Sequence, residues 1–275
     1  CQSDEKVLVT IIDKGGSYRK LADNMKNSHY VDVDLSEKSA LKLFPEHDAI
    51  DDVKLFRLQH VLYLMGEHDE SKPPSDRHLY ILERALRVFY DVAPNDIILE
   101  DFHEFLSTYI ESIEDTEDKN YAITTLKGID SYVDKDGRSY PMFNTRNAKE
   151  LNEQCLVFDL TTLNDFPKLQ TIYFFLIQDV VNDRMLNLSS KGYRQLVIYD
   201  ECWSFLTTPT AAAMIDSQYR TARKYGNTII AISQSISDFL SSTCSSGIVE
   251  NTTVKFIMQL GGNASRLSEL AFNTT

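Results

Sequence analysis

Ten glycines occur among the 275 residues, and none of them begins the pattern GxxxxGK followed by Ser or Thr. In that pattern backbone N–H groups cradle phosphates while the lysine meets the β and γ oxygens. No stretch of this sequence grips phosphates in that way. Cysteine is scarce too: Cys1, Cys155, Cys202 and Cys244 lie far apart and form no CxxC. This excludes a disulfide framework and fits free thiols in a reducing compartment. All six histidines precede residue 104, without HxxxH or HExxH spacing, which excludes a zinc site of the usual His and Cys pattern. No run reaches the roughly 20 apolar residues of a membrane-spanning helix. Positive charge is also short, 28 Lys and Arg against 41 Asp and Glu, for a formal net charge of −13. A broad nucleic-acid footprint needs clustered cations, and the sequence carries no direct signature of one. Acidic residues are densest between 91 and 136, where ESIEDTEDKN reads as a solvated helical face.

What is present centres on QLVIYDECWSFL (195–206), a run of strand formers that delivers two adjacent carboxylates. Acid groups at a strand end suit a bound metal and a water. Asp200 would hold Mg²⁺ through water, and Glu201 would orient or deprotonate a water attacking the γ-phosphate of ATP. The bland alternative is a buried strand meeting a solvated loop. An amphipathic stretch (210–226) and a second β-rich run, NTIIAISQS (227–235), follow. Ends of neighbouring parallel strands share one edge of an α/β sheet, so Gln234 there can sense the phosphate or the water. Arg220, Arg223 and Lys224 sit near the end of the intervening helix. They complement its dipole, or one arginine reaches a neighbouring subunit's nucleotide as a finger. Cys202 reads as a small buried residue after the strand rather than a nucleophile.

Elsewhere, KVLVTIID (6–13) predicts a strand ending in Asp13, then a tight turn through Gly15 and Gly16 with Ser17 as the cap of a helix. These glycines are a structural turn or lie near the nucleotide edge. HYVDVDL (29–35) alternates as a strand. From 52 to about 127 the period becomes helical, in four segments broken by Pro73, Pro74 and Pro94, with Ser75-Asp76 capping the second. The aromatic stripe of Tyr80, Phe89, Tyr90, Phe102 and Phe105 reads as core. CLVFDL (155–160) returns to the sheet, with Asp159 at its end either structural or a supporting carboxylate. The apolar helix 167–186 is expected to pack on the sheet. A Ser-rich segment, a strand at 254–260, Gly261, Gly262 and a last helix complete the chain.

Taken as a set, IYDECWSFL, YRTARKYGNTIIAISQS, TIIDKGGSYRKLAD and LVFDLTTLNDFPKLQTIYFFLIQDVVNDRM resemble the C-terminal motor domain of the TraC-like conjugation ATPases of type IV secretion systems. The resemblance covers roughly residues 7–270, with 50–130 contributing little. It implies an α/β, RecA-like P-loop NTPase sheet, mostly parallel, with an all-helical insertion. Residues 1–51 would form the first part of the motor domain, 52–130 the insertion, and 131–275 the second part with the Walker B strand. In the family the phosphate loop (Walker A) lies just before the segment resembling VLVTIIDKGGSYRKL, so the chain is expected to be a fragment that begins after its own loop, binds ATP weakly or not at all, and is inactive by itself. Loss of that strand would leave an exposed groove or an adjusted strand order. The implied activity is ATP hydrolysis with Mg²⁺, driving pilus assembly and substrate transfer. Glu201, Gln234 and Arg223 would be catalytic, with Asp200, Arg220 and Lys224 at the nucleotide. Working units would be homo-oligomers, generally hexamers, cytoplasmic and peripheral to the bacterial inner membrane beside other secretion components. An FtsK- or coupling-protein-type DNA pump, and a non-catalytic interaction module, are the alternatives.

Overall fold

A computed structural model describes residues 6–66, 74–146, 148, 151–187, 191–206, 209–235 and 245–256. Five strands, β1 (Val7–Asp13), β2 (Ser28–Asp32), β3 (Cys155–Asp159), β4 (Arg194–Tyr199) and β5 (Thr228–Ala231), form one sheet in the order β2-β3-β1-β4-β5. β1 pairs in parallel with β3 and with β4, and β4 in parallel with β5. Inner strands of a parallel sheet are covered on both faces, so they need continuous apolar sequence. All five residues of β3 and six of the seven in β1 are accordingly buried.

Alternate residues serve opposite faces. On one face Val9, Ile11, Cys155 and Val157 pack with Ala22 of α1 (Arg19–Asn24), ringed by Tyr18, Met25, Tyr30, Leu196 and Ile198. On the other, Tyr199 is buried and its phenol donates to Gln218 of α9 (Pro209–Ala222), which follows the short helix α8 (Trp203–Leu206). Pairing is continuous through the five strands, so the expected groove does not open inside the described sheet. The exposed apolar surface lies instead on β5, its outer strand, where Ile230 and the following Ile232 are each 40% exposed. The expected strand, glycines and helix after 254 fall almost wholly outside the described residues.

Two compact units are defined by the chain's internal contacts. The first comprises Cys1–Tyr30, Glu153–Asp159 and Val181–Thr275, and the second Val31–Asn152 and Leu160–Val180. The second is built on α2 (Asp52–Met65), α3 (Asp76–Val92), α4 (Leu99–Tyr109), α5 (Thr116–Val133) and α6 (Tyr140–Phe143). The four long helices lie where the apolar period places them. Asp51, Ser75 and Asp115 cap α2, α3 and α5 by accepting backbone N–H bonds, the usual remedy for orphan donors. Part of the acidic run is paired rather than merely solvated, since Arg77 meets Asp115, Glu117 and Asp118.

Phe44, Phe89 and Phe102 form the aromatic core of this unit, with ring centroids 5.2 to 5.9 Å apart. Tyr80 is not part of it and is 59% exposed. It stands one position off the series Ile81, Leu82, Ala85, Leu86 and Phe89 that α3 buries. Helix α7 (Pro167–Asn187) is divided between the units, its residues through Val180 clustering with the helices and those from Val181 with the sheet. Arg57 pairs with Asp179, and the Tyr173 phenol donates to the Ser39 carbonyl.

The end of α2 is the tightest point of the helical unit. Lys168 donates to the carbonyls of Met65 (3.3 Å) and Gly66 (2.7 Å), answering the unsatisfied carbonyls of a helix C-terminus. Gly128 of α5 approaches so closely that a Cβ there would lie 2.3 Å from the Gly66 Cα and 2.4 Å from the Met65 carbonyl oxygen. Both obstacles are backbone and cannot rotate away. Gly128→Ala is therefore expected to destabilise the chain by about 1–3 kcal/mol despite the better helix propensity of alanine. Denaturant melting checks this; an unchanged or raised midpoint would show that the helices separate freely.

Candidate functional site

Strand register assembles the acidic edge. Asp13 pairs with Asp159, Ile12 with Tyr199, and Tyr199 with Ala231. The ends of β3, β1 and β4 thus bring Asp159, Asp13 and Asp200 side by side at the carboxyl edge, where open α/β sheets bind ligands.

Two of these acids are committed to holding the edge together. Asp13 is fully buried and accepts from the backbone N–H groups of Gly15 (2.8 Å) and Ser17 (2.6 Å). This corrects the expected cap: α1 starts only at Arg19, so the cap position falls to Tyr18 and no side chain fills it, while Ser17 gives its N–H to Asp13. Gly16 takes a φ of 65°, and a Cβ there would come within 3.3 Å of Asp159 Oδ2, so the turn needs glycine on both counts. Asp159 accepts from the Tyr30 phenol, whose ring lies 4.3 Å from the Arg19 guanidinium.

The acid pair is held differently. Backbone bonds of 2.9 Å run from Asp200 N to the Ile12 carbonyl, from Cys202 N to the Ile232 carbonyl, and from Ile232 N to the Tyr199 carbonyl. The turn is thereby fixed to the strands on both sides. Glu201 adopts a φ of 52°, a left-handed conformation that costs an ordinary L-residue about 1–2 kcal/mol. Such strain persists only where surrounding structure over-determines it, and it gathers at functional sites. Gln234 donates its amide to Glu201 Oε1. Asp200, Glu201 and Gln234 are thus brought together.

Sequence reasoning missed two side chains here. The Tyr18 phenol hydrogen-bonds Asp200, and burial, followed by the charges of Asp200 and Asp13, pushes its pKa up to about 12. Lys14 lies with its ammonium 5.7 Å from the Phe205 ring centroid. Burial lowers its pKa, partly offset by Glu201. The one available signal was the turn after β1, since a turn at a strand end faces whatever its neighbour strands present. Cys202 is fully buried, and burial raises its thiol to about 12, so it is no nucleophile near neutral pH.

Arg220, Arg223 and Lys224 are not brought to this edge. A helix joining parallel strands runs back against them, and 14 residues of α9 span about 20 Å. Arg220 is paired with Asp216 at 2.7 Å, and Arg223 and Lys224 are exposed in the turn after the helix. Within one chain none of the three reaches the acid pair.

Among the described residues no three His, Cys, Asp or Glu side chains converge to hold a metal alone. The donor set fits Mg²⁺ that keeps waters and arrives with phosphate ligands, one carboxylate sufficing to orient it. Asp200, in the turn after β4, is the carboxylate that would take that part.

A mostly parallel sheet with an Asp-Glu turn on its carboxyl edge and a large helical unit defines the RecA-like P-loop fold. The chain belongs to the TraG P-loop domain family, whose sequence model matches residues 2–271. It is 24% identical over 250 residues to Protein TraC of Escherichia coli (strain K12), a match covering 88% of this chain and 27% of TraC, so the chain spans about a quarter of that protein's length. The fold is similar to VirB4 of Thermoanaerobacter pseudethanolicus, with a TM-score of 0.73 at 18% identity, covering 96% of this chain and 73% of that one. It is also similar to the bacterial conjugative coupling protein TrwBdeltaN70, with a TM-score of 0.55 at 13% identity, covering 89% and 60%.

Burial, together with the charges of Asp13 and Glu201, raises the pKa of Asp200 above its ordinary 3.8, against the hydrogen bonds from Glu201 N–H and Tyr18. The folded chain then binds this proton more tightly than the unfolded one. The associated stability is complete below the ordinary value and is lost as pH rises through the raised one. Asp200→Asn is therefore expected to raise Tm at pH 7, by on the order of 1 °C, with the advantage gone near pH 4. Parallel thermal melts at both pH values decide it, and a destabilised variant at pH 7 would show the ionised acid to be a net structural asset.

Proposed function

We propose that this chain is part of the ATPase motor of a type IV secretion or conjugation system, hydrolysing ATP to drive pilus assembly and transfer of DNA or protein. The observation that carries this reading is the Glu201 carboxylate, set on a strained left-handed residue at the end of an inner strand and hydrogen-bonded by Gln234 from the next strand. Family membership supports the same chemistry. Mg²⁺ bound with the nucleotide supplies charge neutralisation at the β and γ oxygens.

In this reading Asp200 would hold the metal through water, and Tyr18, hydrogen-bonded to it, keeps that carboxylate aimed. Glu201 orients the attacking water and accepts its proton. Gln234 ties the position of Glu201 to the end of β5 and so makes the acid sensitive to what occupies the γ position. Arg223 acts in trans, because its own acid pair lies about a helix length away. A neighbour in a hexameric ring is the natural recipient, with Arg220 and Lys224 flanking that nucleotide. The helical stretch 52–130 is an insertion in the motor domain. The assembled protein works at the cytoplasmic face of the inner membrane beside other secretion components. A net charge of −13 favours this reading over a DNA pump, whose contacts need clustered cations.

The test uses a longer protein that carries this domain with its phosphate loop. Glu201→Gln is expected to retain ATP binding while kcat falls about 10²–10³-fold; wild-type turnover in that variant would make the Asp-Glu turn structural. A second outcome separates the arginine. Mixing inactive Glu201→Gln and Arg223→Ala subunits restores part of the activity if each site takes its acid from one subunit and its arginine from the next. Mixtures as inactive as their components would remove Arg223 from the site.

A further inference from the structure

Lys14 is the first residue beyond β1, whose neighbours are β3 on one side and β4 on the other, so it starts from the middle of the acidic edge. Its turn has little freedom. The carboxylate of Asp13 binds the N–H groups on both sides of Gly16, and Gly16 itself sits in a left-handed conformation against Asp159. The side chain is half-buried rather than extended into solvent, and its ammonium leans toward Phe205, in the helix that follows the acid pair.

Four carboxylates stand at this edge, yet each has another partner. Asp13 is held by its turn, Asp159 by Tyr30, Asp200 by Tyr18 and Glu201 by Gln234. Among the described residues the Lys14 ammonium makes no hydrogen bond and no ion pair within 4.0 Å, although the charge of Glu201 is felt. A partly desolvated ammonium with three unused donors is unfavourable by itself. It becomes favourable when a multiply charged anion with several acceptor oxygens arrives. A carboxylate ligand has two oxygens and one charge with which to answer the ammonium. A terminal phosphate has more charge and three acceptor oxygens, and so suits the unused donors better.

We propose that Lys14 contacts the γ-phosphate of the bound nucleoside triphosphate, reaching it from the chain's own β1 turn and so making the site selective for the triphosphate over the diphosphate. The proposal rests on the nucleotide reading of the Asp200–Glu201 edge. Lys14 would stand beside the Glu201 carboxylate and leave the line of attack to the water, supplying from within the subunit a positive charge that Arg223 supplies from outside it.

The experiment measures ATP and ADP affinities by fluorescent-analogue titration, with thermal melts, on the longer protein carrying its phosphate loop. Lys14→Met is expected to weaken ATP binding at least about tenfold, as for loss of a charged hydrogen bond, to leave ADP affinity within about twofold, and to raise Tm slightly because a desolvated charge is gone. Lys14→Arg should recover part of the preference for ATP. Equal affinities of wild type and Lys14→Met for ATP would overturn the proposal, as would equal weakening of ATP and ADP. A wild-type protein that binds no ATP would overturn both this proposal and the nucleotide reading. A wild type that binds and hydrolyses ATP beside an unaffected Lys14→Met would remove Lys14 alone.

Discussion

Parallel pairing of β4 between β1 and β5 is the constraint on which the candidate site depends. Register fixes Tyr199 against Ile12 on one side and Ala231 on the other. The next backbone groups continue the stitching, through Asp200 to Ile12 and Cys202 to Ile232. With both flanks fixed, the chain between them has one way to turn, and Glu201 occupies its left-handed conformation as a result. The backbone of Glu201 is positioned by main-chain hydrogen bonds on both flanks, and its carboxylate by the Gln234 amide. That is a robust arrangement, since side-chain substitutions nearby leave the ladder intact.

The same edge concentrates like charge. Asp13, Asp159, Asp200 and Glu201 would repel one another in any medium of low polarity. The fold tolerates them by giving each a donor, backbone N–H groups for Asp13, phenols for Asp159 and Asp200, an amide for Glu201. Asp13 uses its lone pairs to build the turn after β1 and Asp159 accepts from Tyr30, while Asp200 and Glu201 share the turn after β4. The division of labour among four chemically similar groups is thus set by hydrogen bonding rather than by residue type.

Much of this was legible in the sequence. Apolar runs ending in Asp200, Asp13 and Asp159 announced strands, and the rule that parallel strand ends share an edge was enough to bring Glu201 and Gln234 together. The four helices of the second unit followed from apolar spacing and from caps such as Ser75. Other features had no local signature. Ser17 looks like a cap, but the turn that Asp13 holds delays the helix to Arg19, so the Ser17 hydroxyl comes one position too early to cap it. Tyr18 meets Asp200 across 182 residues of chain, a contact no spacing encodes. Nothing marks Glu201 as left-handed, because that conformation is ordinarily advertised by Gly or Asn. Helix α7 is apolar around most of its circumference, so its sequence gives no hint that residues through Val180 cluster with the helices while Val181 onward clusters with the sheet.

One short stretch of chain joins the turn after α9 to the acid pair. It leaves the helix at Arg223, bends at Gly226, which has a φ of 68°, runs through β5 alongside β4, and ends at Gln234 on the Glu201 carboxylate. Strand segments resist stretching and sliding far more than they resist bending, because each ladder bond would have to break in turn. β5 therefore behaves as a strut with one end at the exposed basic turn and the other, through Gln234, on the Glu201 carboxylate. A displacement at the solvent end of that strut would reach the hydrogen-bond donor of Glu201 through the ladder, so the geometry couples the two edges of the sheet.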